Sequence, residues 1–402
     1  MDLAKTLKAA ALVGLAAAAF SCSTAPAAPE KKAEEAPKAS APAVKNTVHL
    51  QLPPALYAVP GVECCLYFDN VVNVINPENF VFDITCSKGR NDQKRWRYVP
   101  AKADKGTFPL KLRVYSCRGL EAEGETTVIV TPAEAGAGKN PAILVIGDSL
   151  TAAGIYPTRI EALMKANGHP QVKMLGLRGT KGRHEGYGGW RWDTFIKKTQ
   201  PSKLKPGQQF SPRMGASPFI IDGKFSLAGY LKKHFGGRVP DFITLQLGVN
   251  DVFGANDDNL ESRIKVILEN ADNLIAALRK DAPDAVIGVG LVTPGAKTQD
   301  AFGSNYACGQ TRWQYKKNQH ALNAAMLKKF ADYPDKKVFI VPSSVNLDCE
   351  NNFPARSEFV SGTGDANKNK ISRQSNGVHP APAGYNQMGD TFFCWIKYHL
   401  AK

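Results

Sequence analysis

The spacing of hydrophobic and polar positions changes twice along the chain. Residues 23–46 contain almost no large apolar side chain, whereas between residues 47 and 133 apolar and polar residues alternate in runs such as 48–52 and 110–114. A period of two between Pro, Gly and Asn turns predicts a small antiparallel β-sandwich domain over 47–133. From residue 141 onward, short apolar runs alternate with stretches of helical period. That alternation predicts a parallel sheet with helices on both faces.

The pattern from residue 141 onward predicts the larger domain, over 141–402. Residues 134–140 are the expected linker before it. Its apolar runs predict strands at 142–146, 171–176, 241–247, 285–292 and 337–341. Apolar stripes at helical spacing predict helices at 156–166, 258–280, 311–330 and 386–399. The expected fold class is therefore α/β, a three-layer α/β/α domain with a parallel sheet, preceded by the small antiparallel β-sandwich.

The N-terminal segment predicts an exported protein. Lys5 and Lys8 precede an apolar run that ends just before Cys22, which is typical of a signal peptide over residues 1–21. The sequence around Cys22 resembles a bacterial lipoprotein cleavage site, so Cys22 is the expected lipidation site. Residues 22–46 would be the lipidated Cys and a disordered tether, because so polar a segment cannot bury enough surface to become ordered. The expected location is the bacterial cell envelope, periplasmic or cell-surface, and the alternative is plain secretion.

The charge of the chain limits its partners. Lys and Arg number 51 and Asp and Glu number 36, which gives a formal net charge of +15. Such an excess suits nucleic acid, an anionic membrane or an acidic polymer. An exported chain rarely meets nucleic acid, and the sequence has no nucleic-acid-binding motif, so no nucleic-acid partner is expected. Most of the Lys residues fit solvated helix faces, and an anionic polysaccharide near the site stays open. Contact with a membrane is expected only through the lipid anchor.

Cysteine usage fits export, because an oxidising compartment permits disulfides. Besides Cys22 there are seven cysteines, and we expect Cys308 to pair with Cys349, since both lie in loop-like segments. A second bridge stays open, between one of Cys86 and Cys117 and one of Cys64 and Cys65. Cys394 lies in an apolar run and is the expected free, buried thiol. No CxxC pair occurs, and the adjacent Cys64 and Cys65 would not chelate one ion well, so no zinc site is expected.

Three polar residues follow predicted strands or lie in turn-rich loops, where α/β proteins usually place their chemistry. Ser149 comes three residues after the end of a buried apolar run and before a helix, so its hydroxyl would lie at the carboxyl end of the sheet. Asn250 follows the strand at 241–247, and His379 lies in the loop before the last helix. Each residue has a structural alternative: Ser149 as a helix cap, Asn250 as a turn residue, and His379 as a structural histidine.

With the glycine-rich turn His184–Trp190, these segments resemble the SGNH (GDSL-like) hydrolase superfamily. The family's four marks fall, in family order, on Ser149 in Gly-Asp-Ser, Gly189 in the turn, Asn250 in Gly-Val-Asn-Asp and His379 in His-Pro. The resemblance covers about residues 140 to 400. It implies a flavodoxin-like α/β/α fold and a serine ester hydrolase that uses no metal and no cofactor.

The resemblance also implies a role for each of these residues. Ser149 would attack an ester carbonyl and His379 would take its proton, because a serine hydroxyl is a poor nucleophile without a base. The oxyanion hole would consist of the backbone N–H groups of Ser149 and Gly189 and the side-chain amide of Asn250. The alternatives to Gly189 in this Gly-rich stretch are Gly179, Gly186 and Gly188.

One position departs from the family pattern. The carboxylate that stands three residues before the histidine in the family is an asparagine here, Asn376. An asparagine can orient the imidazole but does little to stabilise its cation. Three hypotheses stay open. Asn376 is a weaker third catalytic residue; a backbone carbonyl or another acid, Glu358 or Asp365, takes the role; or the protein is a binding module with an inactive site.

The substrate class follows from the resemblance alone. The turn at 184–190 resembles that of the carbohydrate-esterase branch of the superfamily. Together with the added β-sandwich and the expected export, it implies an esterase that removes acetyl or similar acyl groups from a carbohydrate or polysaccharide. The alternatives are a lipid or small-acyl esterase and a surface glycan-binding lipoprotein without activity.

Overall fold

The computed structural model describes residues 48–165 and 170–402. These residues all belong to one compact unit. The predicted signal peptide, the lipidation site at Cys22 and the tether lie outside the described residues and stay predictions. None of the described helices is both long enough and apolar enough to cross a membrane.

The N-terminal region folds as two β-sheets around one apolar core, as its period-two pattern predicts. The four-stranded sheet consists, from edge to edge, of Ala55–Ala58, Gly119–Val130, Gly106–Ser116 and Val81–Cys86. The three-stranded sheet consists of Cys64–Tyr67, Arg95–Tyr98 and Arg90–Asn91. Along one long strand, Leu110, Leu112 and Val114 are fully buried, whereas the residues between them are more exposed. Successive side chains of a strand point to opposite faces, so this alternation places one face in the core.

One edge strand of the four-stranded sheet differs from the predicted antiparallel arrangement. Ala55–Ala58 runs parallel to its neighbour Gly119–Val130. The chain builds the rest of the sandwich between these two strands, and only a long connection of this kind allows a parallel pair. On this strand, Tyr57 packs against Tyr398 of the last helix, with ring centroids 4.9 Å apart.

Polar contacts also join the β region to the rest of the chain. The buried side-chain amide of Asn70 donates to the carbonyl oxygens of Ser344 and Leu347, at 3.0 and 2.8 Å. Lys94 pairs with Glu350 at 2.5 Å. A buried amide left without partners costs about 1–3 kcal/mol, so the Asn70 contacts favour this packed arrangement more than the exposed ion pair does.

The α/β region contains the predicted parallel sheet. Its strands lie in the order Glu185–Gly186, Ala142–Gly147, Phe242–Gln246, Val286–Gly290 and Val338–Val341, and Lys173–Leu175 pairs with the first half of Ala142–Gly147. Every neighbouring pair in this sheet is parallel. Without the short strand Glu185–Gly186, the sequence order across the sheet is 2-1-3-4-5, the flavodoxin-like order that the resemblance implies.

Helices account for most of the remaining α/β region. The described α-helices are Phe68–Val71, Ser149–Ala152, Ile155–Lys165, Thr194–Lys197, Leu227–Phe235, Val249–Val252, Leu260–Asp281, Gln299–Tyr306, Arg312–Ala331 and Pro382–Leu400. Short 3₁₀ helices occur at Pro77–Asn79, Lys102–Asp104 and Pro212–Met214. Two small hairpins consist of Ile220–Ile221 with Lys224–Phe225 and Ala355–Phe359 with Lys370–Gln374. The last helix begins at Pro382, before the predicted start at residue 386, because proline fits the first position of a helix.

The strand order determines where a site can form. The order reverses between Ala142–Gly147 and Phe242–Gln246, and a crevice opens at the carboxyl ends of two strands at such a point. The register pairs Gly147 with Gln246, so the two strands end at the same level. Ser149 follows the first strand and Asn250 follows the second.

The structure contradicts the predicted disulfides, because all seven cysteines among the described residues are free. Cys349 is buried with its thiol 3.4 Å from the side-chain oxygen of Asn70, whereas Cys308 is exposed. The second bridge is absent too: Cys64 and Cys65 are buried, Cys117 is exposed, and Cys86 is half-buried. Cys394 is a free, buried thiol, as predicted.

Gly147 has no room for a side chain. A Cβ there would lie 2.7 Å from the carbonyl oxygen of Gln246 and closer still to Thr151 Oγ1. We predict that Gly147→Ala lowers the free energy of unfolding by about 1–3 kcal/mol, the usual cost of overpacking a core. The substitution should also displace the turn that carries Ser149. Urea unfolding measures the change.

Gly303→Ala is the matched control. This glycine lies within the helix Gln299–Tyr306, and nothing lies within 4 Å of the position its Cβ would take. Alanine is the better helix former, so stability should stay level or rise by up to about 1 kcal/mol. Equal unfolding midpoints for wild type and Gly147→Ala would show that the close approach at Gly147 is not required.

Candidate active site

Ser149 and His379 are in direct contact at the crevice. The Oγ of Ser149 lies 2.8 Å from the Nε2 of His379, although the residues are 230 positions apart in the chain. Both side chains are half-buried. Asp148, not Ser149, caps the short helix that follows the strand, because its carboxylate accepts the backbone N–H of Leu150 at 2.9 Å. The interpretation of Ser149 as a helix cap is therefore wrong, and its hydroxyl is free to face the histidine.

The two helices that follow this pair pack against each other. Tyr156 stacks on Phe392 with ring centroids 5.4 Å apart, and both rings are fully buried. Arg159 Nε lies 2.7 Å from Asp390 Oδ1 at the edge of the same contact. Burial of one such ring contributes about 1.5–3 kcal/mol, whereas a partly exposed ion pair contributes about 0–1 kcal/mol. Apolar packing is thus the main force that holds the two ends of the site together.

Asn376 lies behind the imidazole of His379. Its side-chain oxygen accepts the backbone N–H groups of Val378 and His379, at 3.1 and 3.0 Å, and lies 3.3 Å from His379 Nδ1. If Nε2 is to accept the proton of Ser149, Nδ1 must carry the ring hydrogen and needs an acceptor. The amide oxygen of Asn376 is in a position to be that acceptor, and it also fixes the turn before the histidine.

The two acids considered as alternatives have other partners. Glu358 pairs with Arg373 at 2.9 Å and with Arg356 at 3.4 Å. Asp365 is exposed and accepts the hydroxyl of Thr363 at 2.7 Å. Both acids lie in the described part of the chain, and neither carboxylate contacts His379 there. The structure therefore favours Asn376 over both of them as the group that orients the ring.

Burial determines the acid–base state of the histidine. It lowers the pKa of His379 below the ordinary value, because removal from water disfavours the charged imidazolium. The neighbour at Nδ1 is a neutral amide, Asn376, which does not offset this effect as a carboxylate would. His379 is consequently neutral around pH 7, the state in which it can accept a proton.

The side-chain amide of Asn250 bonds to the glycine-rich turn. Its Nδ2 donates to the carbonyl oxygen of Trp190 at 2.9 Å, which leaves the second N–H of that amide available. The residue is placed by a sharp turn after the strand, where Gly248 has a φ of 118°. Residues other than glycine rarely adopt that backbone conformation, so Gly248 allows the turn that places Asn250.

The glycine-rich turn lies directly beside Ser149. The backbone N–H of Tyr187 donates to the carbonyl oxygen of Gly147 at 3.0 Å, which extends the sheet by one more strand. A Cβ on Gly188 would lie 4.0 Å from Ser149 Cβ. Gly189 follows with a φ of 80°, a conformation that favours glycine. The structure thus brings this turn to Ser149, and the role of the Gly189 N–H as an oxyanion donor stays a prediction.

A buried carboxylate supports this turn, and the sequence analysis missed it. Glu185 accepts the backbone N–H of Leu177 and the hydroxyl of Tyr187, both at 2.6 Å, and the hydroxyl of Tyr230 at 2.5 Å. Burial raises the pKa of Glu185, and its hydrogen bonds counter that rise in part. Glutamate is almost always exposed, so a lone Glu in a glycine-rich stretch gave no sign of this role.

Two more carboxyl groups lie beneath the site. Burial raises the pKa of Asp148 and of Asp251 to about 7. Asp251 accepts the backbone N–H of Trp192 at 3.3 Å, and one oxygen of each carboxyl has no hydrogen-bond partner among the described residues. Both groups hold loop segments in place through backbone N–H donors, Leu150 for Asp148 and Trp192 for Asp251. Each is protonated part of the time near pH 7, which limits the negative charge beside a developing oxyanion.

The Ser149–His379 pair lies outside a large cavity of the protein. A cavity of about 620 Å³ lies elsewhere, between the β region and the segment 348–351, and neither Ser149 nor His379 lines it. Cavity size therefore does not identify the site, whereas the Ser149–His379 contact does. Among the residues that the structure describes, no group of three His, Cys, Asp or Glu side chains could hold a metal ion.

Several solved structures are similar to this chain at low identity. A family 3 carbohydrate esterase from Clostridium thermocellum has 18% identity and a TM-score of 0.39, over 66% of this chain and 100% of that chain. A carbohydrate acetylesterase family member from Sinorhizobium meliloti has 17% identity and a TM-score of 0.35, over 65% and 100%. A family two carbohydrate esterase from Clostridium thermocellum, in complex with cellohexaose, has 13% identity and a TM-score of 0.37, over 86% and 94%. Values this low do not establish a shared substrate.

The sequence itself gives the family. No curated protein matches the chain. The family model described as GDSL-like lipase/acylhydrolase matches residues 143–392, more than half of the chain. That match begins at the strand before Ser149 and ends beyond His379, so it contains the whole site described above. The chain therefore belongs to the GDSL-like lipase/acylhydrolase family and is a serine ester hydrolase of that family.

Proposed function

We propose that this hydrolase removes acetyl or similar short acyl groups from a carbohydrate or polysaccharide, through an acyl-enzyme intermediate on Ser149. The observation that carries the proposal is the 2.8 Å contact between Ser149 Oγ and His379 Nε2 at the carboxyl ends of the central strands. The resemblance of the turn at 184–190 to the carbohydrate-esterase branch supports the choice of substrate. The family match shows an ester hydrolase, and the carbohydrate substrate is what this proposal adds to it.

In the proposed first step, the ester is cleaved by Ser149. His379 Nε2 accepts the hydroxyl proton as Ser149 Oγ attacks the carbonyl carbon, and the carbonyl oxygen becomes an oxyanion. The backbone N–H groups of Ser149 and Gly189 and the second N–H of Asn250 would stabilise that charge. The bond between the acyl carbon and the sugar oxygen then breaks. The leaving oxygen takes the proton from His379, and the acyl group stays on Ser149.

In the second step, water releases the acyl group. His379 takes a proton from the water, whose oxygen attacks the acyl carbon and forms a second oxyanion in the same place. Collapse returns the proton to Ser149 and frees a carboxylic acid. Asn376 would hold the Nδ1 hydrogen throughout, so that Nε2 stays turned toward the nucleophile.

The surroundings of the nucleophile suit a sugar better than a long acyl chain. The polar ring of His379 lies beside Ser149, which is itself half-exposed, and the polar side chain of Asn250 bonds to the adjoining glycine-rich turn. Hydroxyl groups of a sugar can bond to such groups, whereas a lipid chain would leave them without partners.

Substitution of the nucleophile tests this proposal. Ser149→Ala should lower the release of acetate from acetylated glycans, and from p-nitrophenyl acetate, by more than about a thousandfold, because no acyl-enzyme can form. Ser304→Ala, on an exposed helix surface, is the control and should keep full activity. The wild type should also prefer acetyl over long-chain p-nitrophenyl esters. Undiminished activity in Ser149→Ala would refute the mechanism, and a preference for long chains would refute the carbohydrate substrate.

Asn376→Asp tests the third residue through pH. His379 must be neutral to act, so kcat/KM rises as pH increases through its pKa. Burial lowers the pKa of His379, so this limb should lie below the range of an ordinary histidine. A carboxylate 3.3 Å from Nδ1 would favour the imidazolium and raise the pKa of His379. We predict that the limb moves to higher pH and that kcat rises.

The controls for this substitution use the other acids. The backbone N–H groups of Val378 and His379 would bond to a carboxylate at position 376 as they do to the amide, so the turn should remain intact. Glu358→Gln and Asp365→Asn should leave the pH profile unchanged. A fall in kcat for Asn376→Asp, with a collapse of activity in either acid variant, would contradict the assignment.

We also propose that the protein is a lipoprotein of the bacterial cell envelope, with its acyl chains on Cys22. The proposal rests on the apolar run before Cys22 and on the polar segment after it. Mass spectrometry of the membrane fraction should find a lipid-modified N-terminal Cys22, and Cys22→Ala should leave the esterase unlipidated. A mature N-terminus at another residue would contradict the proposal.

A further inference from the structure

A basic loop borders the active site. Residues 194–221 contain four Lys, one Arg and no Asp or Glu. The loop folds back on itself: the backbone N–H of Ser202 donates to the carbonyl oxygen of Met214 at 2.6 Å, and that of Ser217 to Lys198 at 2.9 Å. Every residue from 201 to 210 is exposed. The loop therefore presents a concentrated positive charge to solvent.

Arg213 places one of these positive charges at the glycine-rich turn that borders Ser149. It lies in the short 3₁₀ helix Pro212–Met214, and its carbonyl oxygen accepts the indole N–H of Trp190 at 2.9 Å. The position that a Cβ on Gly188 would take lies 3.8 Å from Arg213 Cδ and 4.0 Å from Ser149 Cβ. The side chain of Arg213 and Ser149 thus both border Gly188. The contact with Trp190 ties it to the same turn as the predicted oxyanion hole.

The guanidinium of Arg213 has no anionic partner among the residues that the structure describes. It is exposed, and none of the ion pairs within residues 48–165 and 170–402 includes it. Its neighbours differ, because Arg191 and Lys197 both pair with Asp193, at 3.7 and 3.5 Å. A guanidinium without a carboxylate, next to the nucleophile, is suited to an anion that arrives with the substrate.

We propose that Arg213 binds the carboxylate of a uronic acid residue in the acylated glycan. This inference rests on the proposed function and names the class of carbohydrate. A guanidinium pairs with a planar carboxylate through two parallel hydrogen bonds, a geometry that the ammonium group of a lysine cannot reproduce. The exposed Lys203 and Lys205 add attraction for further carboxylates along the same polymer.

An exposed aromatic ring belongs to the same surface. Phe210 is 64% exposed, and its ring lies 3.8 Å from the position that a Cβ on Gly215 would take, close to the turn of Arg213. A large apolar side chain in a basic, solvated loop is unusual for a surface with no partner. The flat ring offers an apolar face to the underside of a pyranose, beside the cation that holds its carboxylate.

The test compares acetate release from two acetylated polymers, a polygalacturonate and a neutral glucomannan, with p-nitrophenyl acetate as the small ester. Wild type should have the higher kcat/KM on the polygalacturonate, and added salt should reduce that advantage. In Arg213→Gln, kcat/KM on the polygalacturonate should fall by about tenfold or more, mainly through KM, because a uniform binding contact is lost. Activity on the other two substrates should stay within about twofold, a small change for a group that takes no part in the chemistry.

Two variants separate position from charge. Lys203→Gln removes one charge from the same loop and should change kcat/KM on the polygalacturonate by less than about threefold. Arg213→Lys keeps the charge and should recover only part of the loss. An equal loss on all three substrates, or no loss on any, would overturn the inference. A wild type that prefers glucomannan would overturn it and leave the proposed function standing, whereas hydrolysis of p-nitrophenyl acetate alone would refute both.

Discussion

The hydrogen bond between Ser149 and His379 is the contact on which the site depends, and it exists only because the fold is complete. The two residues are 230 positions apart, and neither can reach the other unless the sheet and the last helix are in place. The strand before Ser149 is buried along its whole length. The helix after His379 is held by apolar packing against the helix after Ser149.

The site is electrically unusual for a serine hydrolase, because the group behind the imidazole is a neutral amide. The side-chain oxygen of Asn376 lies 3.3 Å from His379 Nδ1 and carries no net charge, and burial lowers the pKa of the imidazole. Beneath the nucleophile, Asp148 and Asp251 are protonated part of the time near pH 7. Negative charge is thus kept low around Ser149, while Arg213 adds an exposed positive charge at its edge. Such a balance favours both a developing oxyanion and an anionic substrate.

Much of this fold follows from periodicity. Buried strands leave continuous apolar runs and surface helices leave apolar stripes, so the strands of the central sheet and its long helices are found close to their predicted positions. The parallel edge strand Ala55–Ala58 is not predictable in this way, because a period of two is the same for either direction of pairing. The disulfides are wrong for a related reason. The loop-like sequence around Cys308 and Cys349 does not indicate how far apart their two thiols lie, and the Cys349 thiol is buried against Asn70.

The residues of the site also differ in how far the sequence predicts them. Ser149, Asn250 and His379 follow strands or precede a helix, and local sequence identifies them. Glu185 and Arg213 acquire their positions from tertiary contacts alone. Glu185 accepts hydrogen bonds from residues 8 positions before it and 45 positions after it, and no local pattern encodes either contact. Arg213 lies against the glycine-rich turn because the indole N–H of Trp190 donates to its backbone carbonyl oxygen.

The most direct test of the account is to trap the covalent intermediate. Rapid acid quenching during turnover of an acetylated substrate, followed by digestion and mass spectrometry, should find one acetyl group on the peptide that contains Ser149. The acetylated fraction should rise within the first turnover and decay when the substrate is exhausted. An acetyl group on another residue would contradict the account, as would steady release of acetate with no acylated peptide under conditions where deacylation limits the rate.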